Sequence, residues 1–201
     1  MLSILCVLAT VIFITMMSPG PDMMLLIRYS NASNRSPAVA CVTGICCGLV
    51  VHVALSIIGL AAIVTASDTL YSAIKLTGAI YLIYIGLRSL FSGAQLNLSA
   101  VKSSDQLDTK QVLLHGFCCN ILNPKVTLFI LAVFTQIIEP STPTAEKIAY
   151  GVFILIESFV VWNLFVVLIR TPVVLRLLNS FQVAIDRVIG VILVCFGGAL
   201  I

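Results

Sequence analysis

The sequence predicts an all-α polytopic membrane protein, with six transmembrane helices arranged as two inverted three-helix repeats. Three observations predict it. First, 60% of the 201 residues are hydrophobic and 9% are charged, with a mean hydropathy of +1.16. A soluble domain carries about 25% charged residues, so this chain lacks the polar surface to face water. Second, the apolar residues fall into six stretches, each near the ~20 residues that cross about 30 Å of hydrocarbon. Third, two of those stretches are interrupted at corresponding places, by Ser18-Pro19-Gly20-Pro21-Asp22 and by Asn123-Pro124-Lys125. A paired interruption of this kind marks the binding site of many secondary transporters.

The first stretch, Leu2–Tyr29, lacks the basic start and the small-x-small site of a secretory leader, and it reads as a retained helix. Pro19 and Pro21 have no backbone N–H, and their rings displace the carbonyls of Thr15 and Met17. Ser18 and Gly20 precede prolines and are pushed off helical angles. The chain must therefore open near Ser18 and restart as a half-helix at Asp22. The second stretch, Ala38–Ala66, holds Gly44-x-x-x-Gly48, a packing motif, and His52 in mid-span. The third, Leu70–Phe91, carries Gly78 and Gly86 for close packing, with Lys75 snorkelling to an interface. Ser92–Gln111 is the only long polar stretch and reads as a cytoplasmic linker. In the fourth stretch, Val112–Ile138, Pro124 frees the carbonyl of Asn120. The fifth, Ile148–Ile169, places Glu157 near mid-membrane, and the sixth is Val183–Ile201.

Charge sets the orientation. The odd-numbered connections hold Arg28, Arg35, Arg88, Lys102, Lys110, Arg170 and Arg176, whereas the even ones hold only Lys147. Basic residues stay cytoplasmic, so both termini are expected in the periplasm.

The halves also match in order. With Pro21 placed over Pro124, Asp22 falls on Lys125 and Gly48 on Gly151. After an insertion in the second half, Lys75-x-x-Gly78 meets Arg187-x-x-Gly190, and Gly86 meets Gly198. Residues 1–91 then form one three-helix repeat, 92–111 the linker and 112–201 the second repeat. Three is odd, so the second unit enters the membrane from the opposite side.

A half-helix that restarts inside a membrane offers free N–H groups and the positive end of a dipole. Ser18, Pro19, Gly20, Pro21 and Asp22 on one side, with Asn120, Asn123, Pro124 and Lys125 on the other, form a candidate amino acid site. A carboxylate suits the half-helix starts and Lys125, and an ammonium suits Asp22 and the freed carbonyls. Glu157 is a candidate ammonium ligand or proton carrier, since an intramembrane carboxylate needs a partner or a proton. Asp22, Glu157 and His52 are the candidates for proton coupling. Plainer roles exist for each. Asp22 is also a suitable first-turn acid, Lys125 a salt-bridge partner for it or for Glu157, and His52 a neutral histidine bonded across helices.

The seven cysteines, Cys6, Cys41, Cys46, Cys47, Cys118, Cys119 and Cys195, lie in apolar runs without metal-ligand spacing. They read as small packing residues. No metal and no nucleic acid is expected, for there is no ligand cluster and no basic patch with interleaved aromatics.

Several of these segments also resemble the LysE/RhtB family of amino acid exporters. The similarity runs along nearly the whole chain. It is carried by Ser18-Pro19-Gly20-Pro21-Asp22, by Gly44-x-x-x-Gly48-x-x-x-His52 with Gly59-Leu60-Ala61, and by Gly78 to Gly86. It continues in Gly116-Phe117, Asn120-Ile121-Leu122-Asn123-Pro124-Lys125 and Phe134-Thr135-Gln136, where Thr135 stands in place of a usual proline. The resemblance implies a bacterial inner-membrane exporter of threonine, homoserine, homoserine lactone or a similar small amino acid. It implies proton antiport and no cofactor. Partners are then the amino acid, protons and the lipid bilayer, and faces of small residues permit a homodimer. Two other classes were weighed against this one. A thiol-disulfide electron carrier would use Cys46/Cys47 and Cys118/Cys119, and a non-transporting scaffold or sensor would need no site at all.

Overall fold

The computed structural model describes residues 2–30, 35–91, 108–139 and 141–199 of the chain. Most of the expected linker, residues 92–107, and most of the first cytoplasmic turn lie outside the described residues. Eight helices are present among those described, and no strand. They are α1 (Leu2–Met17), α2 (Pro21–Ser30), α3 (Ser36–Ala66), α4 (Asp68–Leu90), α5 (Thr109–Ile121), α6 (Pro124–Ile137), α7 (Thr144–Ile169) and α8 (Pro172–Gly198).

Four helices, α3, α4, α7 and α8, are long and apolar enough to cross a membrane. The other four form two broken pairs. Helices α1 and α2 meet at a 66° bend, and α5 and α6 at a 58° bend. Counting each pair as one span gives six. Both breaks fall where the prolines require them, and both restarts place proline at the helix start, where its missing N–H costs nothing.

Two boundaries differ from expectation. Helix α3 begins at Ser36 rather than near Ala38, because Pro37 is tolerated in a first turn. Helix α8 begins at Pro172, well before Val183. Its first half is too polar to register as an apolar run, but Leu175 and Leu178 pack against a buried cluster that includes Trp162, Phe165, Val166 and Ile169 of α7.

Close backbone contacts fix the helix pairs. Helix α3 runs parallel to α5, with Gly44 against Leu113 and Phe117, and Gly48 against Asn120. A β-carbon on Gly44 would collide with the Leu113 carbonyl. The Gly44-x-x-x-Gly48 face is thus filled by α5 and is not available to a second copy of the chain. Helix α4 runs antiparallel to α8, with Gly86 against Gly190 and Ala79 against Gly197. The broken helices pack crosswise, α1 beside α6 and α2 beside α5. Helices α3 and α7 pack together and flank them.

Candidate functional site

The two breaks meet. Ser18, Gly20 and Asp22 from the first, with Asn120, Asn123 and Lys125 from the second, line one cavity of about 70 Å³. Apolar walls come from Ile12, Met23, Leu49 and Phe129, among others, and Ser158 and Trp162 of α7 complete the lining. This volume holds a few waters. It falls well below the roughly 300 Å³ at which ligand pockets begin, so there is little free space between its polar groups.

Several of the polar groups are held by the opposite half of the chain. Opening at Ser18 leaves that carbonyl without its usual partner four residues on, and Lys125 Nζ donates to it at 3.1 Å. Asp22, buried at 7% exposure, accepts from Asn120 Nδ2 through Oδ2 at 2.8 Å. Pro124 frees the Asn120 carbonyl as the sequence requires, and the carbonyl accepts from Asn123 N at 3.0 Å. It also lies 3.1 Å from His52 Nε2 of α3. A carbonyl has no proton to give, so Nε2 carries the hydrogen, and in the neutral ring Nδ1 then holds a lone pair. Asn123 caps α6, its Oδ1 accepting from Lys125 N at 3.1 Å. Gly48 makes room for this arrangement, since a β-carbon there would sit 2.8 Å from Asn120 Oδ1.

Asp22 and Lys125 interact electrostatically across the chamber, but the ammonium bonds the Ser18 carbonyl rather than the carboxylate. Asp22 Oδ1, Asn120 Oδ1 and His52 Nδ1 are buried without a hydrogen-bond partner among the described residues. Three unmet acceptors in low dielectric are costly, and they share one deficiency, a donor.

Glu157 does not join them. It is absent from the cavity wall, although its neighbour Ser158 is part of it. Its Oε2 is buried without a hydrogen-bond partner. Pro19 and Pro21 shape the break without lining the cavity, and Pro21 is exposed. The seven cysteines are all unpaired. Thr135 continues α6 where a proline would bend it, its hydroxyl donating to its own helix.

Sequence reasoning missed Asp186 and Gln182 of α8, both almost fully buried. Gln182 Nε2 sits 3.3 and 3.4 Å from the Asp186 carboxylate oxygens. Their signal is periodicity. Leu175, Leu178, Gln182 and Asp186 share one helix face, and a polar pair on an otherwise buried face is conspicuous once the helix is extended to Pro172.

An apolar helical bundle whose two broken helices meet around a buried acid, buried amides and a half-buried lysine is the architecture of a membrane translocator. The chain belongs to the LysE family: residues 13–201 match the model of the LysE type translocator. It is a multi-pass membrane protein of a transporter family, not of a family of enzymes. A membrane protein of Bacillus subtilis (strain 168), YrhP, described as uncharacterized, is 30% identical over 187 residues, covering 89% of each chain. The threonine efflux protein of Salmonella typhi is 28% identical, over 98% of this chain and 97% of its own. That of Escherichia coli (strain K12) is 26% identical with the same coverage. No solved structure matches the chain.

Proposed function

We propose that this protein is a proton-coupled exporter of a small neutral amino acid such as threonine or homoserine, from the cytoplasm across the bacterial inner membrane. The observation that carries the reading is the chamber itself. It sets a cation, Lys125, beside a carboxylate, Asp22, with unmet acceptors around them. A zwitterion matches that pattern, with its carboxylate on Lys125 and its ammonium on Asp22 and Asn120 Oδ1. The threonine efflux proteins among the relatives point to the same substrate class.

In this mechanism a proton on Asp22 competes with the substrate ammonium, since a neutral carboxyl cannot hold the cation. Binding and protonation then alternate, which gives antiport. Asn120 holds both Asp22 and His52 but passes no proton itself, so His52 Nδ1, buried without a hydrogen-bond partner among the described residues, is the proposed acceptor for that proton once a water bridges it to Asp22. Glu157 is given no contact with substrate. The mechanism uses no cofactor.

Alternating access follows from inverted repeats, with residues 1–91 and 112–201 as the two units and both termini in the periplasm. Part of the helix pairing supports this. Exchanging the halves turns the α1–α6 contact into α5–α2, the α3–α5 contact into α7–α1, and the α2–α7 contact into α6–α3, and all of these occur, whereas the α4–α6 and α2–α3 contacts have no counterpart of similar extent. In the register of Gly78 on Gly190 and Gly86 on Gly198, the Gly86–Gly190 contact maps onto 198 against 78. The observed Gly197–Ala79 contact is one residue away.

The test is efflux from proteoliposomes loaded with labelled L-threonine or L-homoserine, with and without an imposed pH gradient. Asp22→Asn should abolish efflux while the protein still inserts. Normal efflux by that variant rejects the assignment of Asp22. Efflux indifferent to the pH gradient rejects proton coupling.

A further inference from the structure

Lys125 has a second acidic neighbour. Besides Asp22 it interacts electrostatically with Asp186 of α8 and, more weakly, with Arg88 of α4. Asp186 is 2% exposed, and Gln182, one turn earlier, is 1% exposed. The amide of Gln182 points its Nε2 at the Asp186 carboxylate. Its Oε1 is therefore turned away, and it is buried with no hydrogen-bond partner. Asn179 Oδ1, on the same face one turn further back, is buried and unpartnered too. The inner face of α8 thus changes from Leu175 and Leu178 to three oxygen-bearing side chains, then to Ile189 and Leu193.

This band holds more acceptors than donors. The single carboxylate has one neutral amide as its hydrogen-bond partner, and two amide oxygens have none. Lys125 acts on this carboxylate electrostatically, but its hydrogen bond goes to the Ser18 carbonyl. What the band lacks is a donor-rich cation within hydrogen-bond distance, which a substrate ammonium supplies with three N–H bonds. Helix packing does not explain the cluster. Ser89 of α4 bonds the main-chain oxygen of Asp186, at 2.8 Å, and leaves the carboxylate free.

The geometry points to a second ammonium station, made of Asp186, Gln182 and Asn179, within electrostatic reach of Lys125. This rests on the proposed export of a zwitterion. In this reading Asp22 and Asp186 are alternative partners for the substrate ammonium, since both act on the cation that takes the carboxylate. Asp186 lies level with the C-terminal end of α4, where Ser89 bonds its main-chain oxygen. That end is the cytoplasmic one in the proposed orientation, so Asp186 is the site of first capture.

The experiment uses the full-length protein in proteoliposomes. The concentration dependence of L-threonine and L-homoserine transport is measured for the unchanged protein and for Asp186→Asn, in sodium and in choline media. N-acetyl-L-threonine, which keeps the carboxylate but has no ammonium, is the control inhibitor. Loss of one charge-assisted contact predicts an apparent KM raised about tenfold, with inhibition by the N-acetyl compound unchanged. Asp186→Glu should recover most of the loss. If Asp186→Asn cannot be recovered from membranes, Gln182→Leu takes its place, with an expected rise of about threefold from removal of one neutral acceptor.

An unchanged KM overturns the station. So does an equal change for substrate and N-acetyl compound, which marks a structural role, and so does an effect seen only in sodium, which marks a metal-ion site. These outcomes leave the exporter reading standing. Failure of the unchanged protein to move either amino acid rejects that reading, and the station with it.

Discussion

The two helix breaks share a design and differ in sign. Each ends a short helix, bends the chain by about the same angle, and restarts on a proline. At the second residue of the new helix, one break carries Asp22 and the other Lys125. An acid in a first turn is favoured by the helix dipole, and a lysine there is disfavoured, each by about 0.3–1 kcal/mol. Asp22 therefore has a structural reason to be where it is. Lys125 has none within its own helix. Its ammonium instead reaches the last carbonyls of α1, where a dipole ends in negative charge. The contrast teaches that the lysine is placed for the chamber and not for α6.

Breaking that contrast gives the largest expected effects. Lys125→Met should reduce efflux by on the order of 100-fold or more, the usual cost of removing one partner from a buried charged site. The same substitution removes an unfavourable dipole term but leaves the Ser18 carbonyl without its donor and Asp22 without its counter-charge, so the midpoint of thermal unfolding in detergent should fall. A purely structural lysine predicts that lowered midpoint with efflux preserved. Comparison with Asp22→Asn in the same assay separates the two breaks.

Glycine near each break gives the next effect. At Gly48 a β-carbon would press on Asn120 Oδ1 and Cβ, at 2.8 and 2.9 Å. Asn120 is the side chain that holds Asp22, and its neighbours are packed. Gly48→Ala should cost about 1–3 kcal/mol of stability through overpacking and lower efflux through displacement of Asn120. A β-carbon on Gly20, inside the first break, would meet Lys125 Nζ at 3.8 Å, Lys125 Cδ at 3.9 Å and the Ser18 carbonyl oxygen at 4.0 Å, all ordinary contacts. It does not adopt positive φ. Gly20→Ala should change stability by no more than about 1 kcal/mol, in either direction. Chemical denaturation of the two variants side by side checks the difference.

Much of this was legible in the chain. The breaks could be placed almost to the residue, because proline lacks a donor and the carbonyl four residues back must find another partner. The Asn120 carbonyl is a case in point. What could not be read was who supplies that partner. His52 reaches it only because α3 lies parallel to α5, a long-range pairing that depends on backbone approach at Gly44 and Gly48. Asp186 and Gln182 were invisible for another reason. Hydropathy averages around a helix, so a half-polar segment with one buried face reads as a loop. Glu157 failed in the opposite sense. Depth in the membrane follows from counting, but direction depends on which face of α7 meets the chamber, and its neighbour Ser158 holds that position.

Capping distinguishes the breaks by a smaller margin. Asn123 caps α6 through its side chain, so Asn123→Ala should lower stability by about 1 kcal/mol. A modest loss of efflux should follow, because the backbone N–H of Lys125 is the group released. Unfolding midpoints for Asn123→Ala and for Asn123→Asp, which keeps a capping oxygen, test whether capping is the cause.

The smallest effect is expected at Glu157, and it sharpens the comparison because Asp22 and Glu157 are both acids deep in apolar helices. Asp22 lines the cavity, receives a hydrogen bond from Asn120 and faces Lys125. Glu157 has none of these relations, and its Oε2 meets no donor. Glutamine at that position keeps the shape and gives an oxygen and a neutral amide in place of the carboxyl. It should therefore fold at least as well and keep efflux within about threefold of the unchanged protein, less than the 1.4 kcal/mol that a tenfold change represents. The pH dependence of efflux should be the same for both. A loss comparable with that of Asp22→Asn, or a displaced pH profile, would mean that α7 turns Glu157 into the chamber during the transport cycle, and the proton path would then have to run through α7 rather than from Asp22 to His52.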